Sequence, residues 1–165
     1  MAKCKATRNG IRLILSDGEV DVIRFLGREL TRLLENGDPE QGILKPFFPS
    51  LQRKDDPMSV SNELDEAMDT DLMRHRLERI QVVEEELLAD CREGALDAIL
   101  TEERLDSWLS FLTDLRLLVS TVIGISPGNP EPMDPDPEEW TMEEKIYEFL
   151  TALQEGMVGV VLGEA

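Results

Sequence analysis

The chain has 165 residues, with 17 basic against 35 acidic side chains and a formal net charge of −18. Its length fits one domain, 1–165, and an apolar share of 41% can fill a continuous core, which excludes disorder throughout. The acidic excess argues against binding nucleic acid or an anionic membrane, and no run approaches the roughly 18 apolar residues of a membrane span. The opening MAKCKATRNG lacks the apolar stretch of a signal peptide, so the expected location is the cytoplasm.

The charge is uneven: residues 1–35 hold seven basic and five acidic groups, net +2, and the remainder is net −20. Solubility through self-repulsion accounts for such an excess; a basic partner or an acidic mimic of nucleic acid are the sharper readings. Cys4 and Cys91 are too few for a disulfide framework or a zinc site.

In chain order, Lys3 to Thr7 and Ile11 to Leu15 flank Arg8-Asn9-Gly10, a hairpin signal. Two strands alone are marginal, so this ribbon must lie on helices. Ser16 with Glu19 is a capping box opening a first helix whose stripe is Val20, Ile23, Leu26, Leu30, Leu33 and Leu34. Phe25 lies off that stripe. Asn36-Gly37-Asp38-Pro39 ends the helix.

Residues 37–61 form a long connection with an apolar anchor at Phe47-Phe48-Pro49 and Leu51. A short helix over 61–68 and a second principal helix from about Thr70 to Arg92 follow. Leu72, Met73, Leu77, Ile80, Val83, Leu87, Leu88 and Cys91 share one face of the latter. Arg76 and Glu84 fall inside that stripe, and the Glu84-Glu85-Glu86 run otherwise points mainly outward. Ala95, Leu96, Ala98 and Ile99 read as a short extended segment, and Thr101 caps a third helix that ends at Gly124. The stretch 126–139, crowded with prolines, reads as an acidic linker. Thr141 with Glu144 opens a fourth helix along Ile146, Phe149, Leu150, Leu153, Met157, Val160 and Val161. The expected fold is mainly α: a four-helix core with a small N-terminal β-hairpin.

Arg116 is the anomaly. Stepping about 100° per residue along the third helix puts Leu105, Trp108, Leu109, Leu112, Leu115, Val119, Val122 and Ile123 on one face, and Arg116 lands inside it. A guanidinium keeps its proton, so enclosing it demands a carboxylate or several acceptors. The expected partner is Glu84 of the second helix, with Arg76 on the same stripe. The alternative is that Arg116 runs its head to the surface past Trp108 and Leu112.

Recognisable catalytic chemistry is thin. His75 falls on a polar helix face, and HExxH, CxxC, GxGxxG and Walker patterns are missing, so no cofactor and no metal is expected. A di-iron bundle needs inward Glu-x-x-His pairs, and Leu72 stands where the glutamate would be. Phe25, Phe47 and Phe48 could form an exposed apolar patch that marks a partner surface.

The stretch from Trp108 through Asp114-Leu115-Arg116 to Gly124-Ile125 resembles the signature of the DUF2017 family, an uncharacterised actinobacterial group. Thr113 stands where that family carries asparagine. Tyr147-Glu-Phe-Leu-Thr-Ala-Leu-Gln154 is similar to its closing motif, with Phe149 in place of tryptophan, and Phe48 to Asp56 is a weaker likeness. The resemblance implies no defined activity. It points to a link with Clp-dependent proteolysis through gene neighbourhood, and it singles out Trp108, Asp114, Leu115, Arg116, Tyr147 and Gln154. Two functions are therefore expected in order: a non-enzymatic interaction or regulatory protein with a protein partner, then an enzyme holding an anionic small molecule at Arg116 and Glu84. Self-association is open on either.

Overall fold

The computed structural model describes residues 2–37, 45–47, 62–125 and 134–163. Among the described residues, four α-helices and a four-stranded antiparallel sheet make the fold. The hairpin forms as expected: β1 (Lys3–Thr7) pairs with β2 (Gly10–Leu15), Cys4 opposite Leu13. Helix α1 (Asp17–Asn36) opens on the Ser16 capping box, in which Ser16 accepts from the Glu19 amide and the Glu19 carboxylate accepts from the Ser16 amide.

Three departures from expectation have physical reasons. The segment at 62–70 and the second principal helix are one continuous helix, α2 (Asn62–Asp90), because no proline or glycine interrupts it. That helix ends at Asp90 rather than at Arg92, and Cys91 is not part of it. Cys91 opens the short strand β3 (Cys91–Arg92), where Glu93 and Gly94 take positive φ and turn the chain back. The extended segment is then a full strand, β4 (Ala95–Leu100), which pairs with β2 and gives the order β1-β2-β4-β3. The sheet is thus twice the hairpin expected, and its second half arrives through long-range pairing.

The sheet alternates. Ile11, Leu13, Leu15, Leu96, Ala98 and Leu100 are buried against the helices, while Lys3, Lys5, Arg12, Asp97 and Ile99 face solvent. Helix α3 (Glu102–Ile123) ends at Gly124, in the left-handed conformation expected of a helix-terminating glycine. A short 3-10 turn at Pro137–Glu139 precedes α4 (Met142–Val161), so the expected linker ends in a side-chain-capped turn; its part at 126–133 lies outside the described residues. At Thr141 only half of the expected box forms: its hydroxyl accepts from the Glu144 amide. Among the described residues no helix is long and apolar enough to cross a membrane.

Helix α3 lies between α2 and α4. Trp108, Phe111, Leu112, Leu115, Leu118 and Val119 are buried, so its apolar surface is wider than a single stripe. Val122, expected inside, is exposed, as is Leu88 on α2.

Gly10 is the tightest backbone requirement. Its φ is +149°, and a Cβ there would overlap the Leu100 carbonyl oxygen across the sheet. Gly10→Ala should cost at least about 2 kcal/mol in urea unfolding. Gly18→Ala, in the first turn of α1 with nothing within 4 Å of the new carbon, should be neutral or stabilising by up to about 1 kcal/mol.

Candidate functional site

A polar seam runs along both sides of α3. Asp114 and Arg116 are two positions apart, about 200° around a helix, and therefore point to opposite neighbours.

Asp114 faces α2 and is 6% exposed. Its Oδ1 lies 3.4 Å from Arg76 Nε, while Oδ2 is buried without a hydrogen bond. Burial pushes its pKa above the ordinary 3.8; the charges of Arg76 and Arg79 and the Arg76 hydrogen bond pull the other way without overcoming it. Arg76 also donates to the Phe47 carbonyl and stacks over the Phe47 ring, 5.1 Å from its centroid. One guanidinium therefore joins α2, α3 and the 3-10 turn at Lys45–Phe47. One turn of chemistry away, Trp108 Nε1 donates to Glu86 Oε2 at 2.8 Å, and Arg104 Nε sits 3.3 Å from Glu86 Oε1. Trp108 packs edge-on to Phe111.

Arg116 faces α4 and is half-buried. One terminal nitrogen donates to Gln154 Oε1 at 2.7 Å, and the other reaches the Tyr147 hydroxyl at 3.5 Å. The guanidinium carbon stands 5.5 Å from the Tyr147 ring centroid, within cation–π range. Gln154 completes the join by donating back to Thr113 Oγ1 at 2.7 Å and to the Leu109 carbonyl at 3.2 Å. A single amide thus bridges three positions on the facing helix.

The expected Arg116–Glu84 pair is not formed. Arg116 makes no ion pair among the described residues, and Glu84 is turned toward α1, its Oε1 3.7 Å from where a Cβ on Gly27 would stand. The reason is directional: Glu84 belongs to the α1 side of α2, and Arg116 to the α4 side of α3. The seam between α2 and α3 is nevertheless ionic, built from Arg76–Asp114 and Arg104–Glu86. Asp114 is buried, because α3 has a second neighbour on that side. Glu86, read as outward with its run, is buried at 8% exposure. The signal that could have found it is Trp108: an indole N–H in a core needs an acceptor.

Of the two described members of the expected surface patch, Phe25 is exposed, at 61%. Phe47 is corrected to a core residue, 1% exposed, held by Arg76. Phe48 lies outside the described residues. His75 is exposed, as its helix face implied. Leu115 is wholly buried.

Neither thiol is primed. Burial raises the pKa of both Cys4 and Cys91. They lie on β1 and β3, three strand spacings or about 14 Å apart, beyond the roughly 7 Å Cα separation a disulfide spans. Among the described residues no group of three or more His, Cys, Asp or Glu is placed to hold a metal. Two cavities run beside α4, one of about 510 Å³ against β1 and one of about 330 Å³ against the start of α1. Arg116 and Glu84 line neither of these two.

These features define a mainly α protein whose helices are stitched by buried polar pairs around one central rod. The chain belongs to the family described as Domain of unknown function (DUF2017), which it matches over residues 1–161. It is similar to the proteins named Oxidative stress regulator AosR of Mycobacterium bovis and Mycobacterium tuberculosis, 29% identical over 131 residues, 77% of this chain and 60% of each relative. The chain therefore spans less than two thirds of the length of these curated relatives. No solved structure matches it.

Removing one side of the enclosed pair should be costly. Asp114→Ala, which strands Arg76, should destabilise by about 3–5 kcal/mol in urea unfolding. The pH dependence is distinctive. The folded protein holds the Asp114 proton more tightly than the unfolded chain, so the ionised form costs stability above the folded pKa. That cost is relieved as pH falls from there toward 3.8. Wild-type protein should therefore gain stability relative to Asp114→Asn over that interval, read from parallel urea titrations. On the other seam, Arg116→Ala and Gln154→Ala should be non-additive by about 0.5–3 kcal/mol in a double-mutant cycle, and strict additivity would dissolve the join.

Proposed function

We propose that this chain is a non-enzymatic regulatory protein that works by contacting another protein, and that it serves the response to oxidative stress. The observation that carries the first part is that Arg116, Asp114 and Glu86 each bond to another seam residue, and the atoms left without a hydrogen bond, Asp114 Oδ2 and Arg116 Nε, are buried. Both terminal nitrogens of Arg116 are occupied by α4, and Asp114 and Glu86 are enclosed against arginines of α2 and α3. A charged group available to an anionic substrate would keep an open side toward a cavity. The seam instead braces helices whose outer surfaces leave apolar side chains in water, among them Phe25, Leu88 and Ile99.

The second part rests on the relatives named as oxidative stress regulators. The thiol geometry shapes it: with Cys4 and Cys91 on different strands and both pKa values raised, an intrachain disulfide is not the device. The chain then acts after an oxidant has been sensed elsewhere. A finer link to Clp-dependent proteolysis rests on the family resemblance alone.

A strain lacking this chain should survive peroxide challenge less well than its parent. The wild-type chain should restore survival, and so should a Cys4→Ser, Cys91→Ser double variant. Equal survival of the deletion strain and its parent would sink the stress-response reading. Restoration by the wild type but not by the double variant would return the sensing role to the thiols.

A further inference from the structure

β1 is one edge of the sheet, and none of its five residues is buried. Beyond β1 lies the larger cavity, about 510 Å³, with Ala2 and Cys4 on one wall and Phe149, Leu153, Gly156 and Val160 of α4 on the other. No residue of β2 lines it, and Cys4 lies on the helix-facing side of the sheet opposite Leu13, so the cavity sits between the edge strand and α4. The lining is chiefly apolar. Across the pleat, Lys3 and Lys5 point to the solvent face. Their neighbour Arg12 is paired bidentately with Asp97, whereas neither lysine has an ion pair among the described residues. A chain of net charge −18 thus displays two uncompensated cations on an open strand edge, directly above an apolar hollow.

Resting on the protein-binding reading above, we propose that β1 accepts an extended segment of a partner protein as a fifth strand, one whose residues alternate between acidic and apolar. Strand addition joins the backbones, and alternate side chains of the incoming strand take opposite faces. Those on the face of Cys4 enter the cavity. Those on the other face stand about 5 Å from Lys3 and Lys5, where carboxylates are favoured.

The same lysines disfavour a second copy of this chain. Pairing β1 with β1 would set lysine beside lysine, and edge lysines are a common guard against such self-pairing. The hollow also suits side chains rather than a flat contact: its volume falls in the range of pockets that take small ligands, about 300–1,000 Å³.

The test uses the full chain and two capped eight-residue peptides, one alternating valine with glutamate and one alternating valine with lysine. Calorimetry should show binding of the glutamate peptide and none of the lysine peptide, and amide exchange should slow at β1 when the former binds. Lys3→Glu with Lys5→Glu should weaken binding about ten-fold or more, since two favourable cross-strand charge pairs become repulsive. Gly156→Leu should also weaken it, because a Cβ at Gly156 stands 3.9 Å from Cys4 Sγ and a longer side chain extends into the hollow. The thermal midpoint should not drop for Gly156→Leu, as leucine is the better helix former.

No binding of the glutamate peptide, equal binding of both peptides, or a β1-dependent dimer in sedimentation would each overturn the edge site. If the wild-type chain and both variants capture the same protein from native cells while the peptide does not bind, the edge site fails and the broader reading stands. If the wild type captures no protein, the broader reading fails as well.

Discussion

The structure depends on α3 being enclosed from two sides. A helix packed on one neighbour can send every polar residue to water. A helix with neighbours at both flanks must bury polar positions, and each then needs a partner that the facing helix supplies. Asp114 and Arg116 are that requirement made explicit. The two sides solve it differently: α2 answers with charge, through Arg76 and Glu86, and α4 answers with an amide and a phenol, through Gln154 and Tyr147. The Asp114 carboxylate on the α2 side is half-satisfied, and burial raises its pKa. Sensitivity to acid is therefore concentrated on the α2 side of the rod.

Local signals were legible because they are settled by a few adjacent residues. Ser16 with Glu19 placed a helix start, Asn9-Gly10 placed a turn, and Gly124 placed a helix end. The anomaly of Arg116 was legible too, since periodicity alone puts it among leucines. Its partner was not. A helical wheel gives the direction of a side chain, but which helix lies in that direction depends on chain reversals far away in sequence. Glu84 was the acid available on a stripe, yet α2 serves α1 along part of its girth and α3 along another part, so one stripe could not describe it. Glu86 was missed for the same reason. The pairing of β4 with β2 likewise joins residues some 85 positions apart, as the Arg12–Asp97 pair records. The residues that the DUF2017 likeness singles out lie on α3 and α4. Trp108, Asp114, Arg116, Tyr147 and Gln154 are all members of the seam, although only some of them touch one another.

The uneven charge now has a location. The basic excess at the start of the chain falls on the outer face of the sheet and on exposed turns of α1, while among the described residues acidic side chains outnumber basic ones along α2, α3 and α4. Self-repulsion is one use of a net charge of −18, but it gives no reason for lysines to gather on the strand edge. Edge protection accounts for lysine on β1 and leaves the apolar hollow beside it unexplained. An acidic, alternating partner strand accounts for both features together.

Helix α4 connects the seam to that hollow. Gln154 and Gly156 are two positions apart and so face nearly opposite ways: one is bonded to α3, and the other walls the cavity against Cys4. The join made by Arg116, Thr113 and Gln154 fixes the roll and height of α4, and those two quantities set the gap between α4 and β1. A residue of the seam can therefore influence whatever occupies the edge without touching it. This gives the buried motif a functional reason to be polar. An all-apolar interface would hold α4 at least as firmly, but hydrogen bonds to specific atoms of Leu109, Thr113 and Arg116 on α3 also fix its register, and with it the position of the cavity wall.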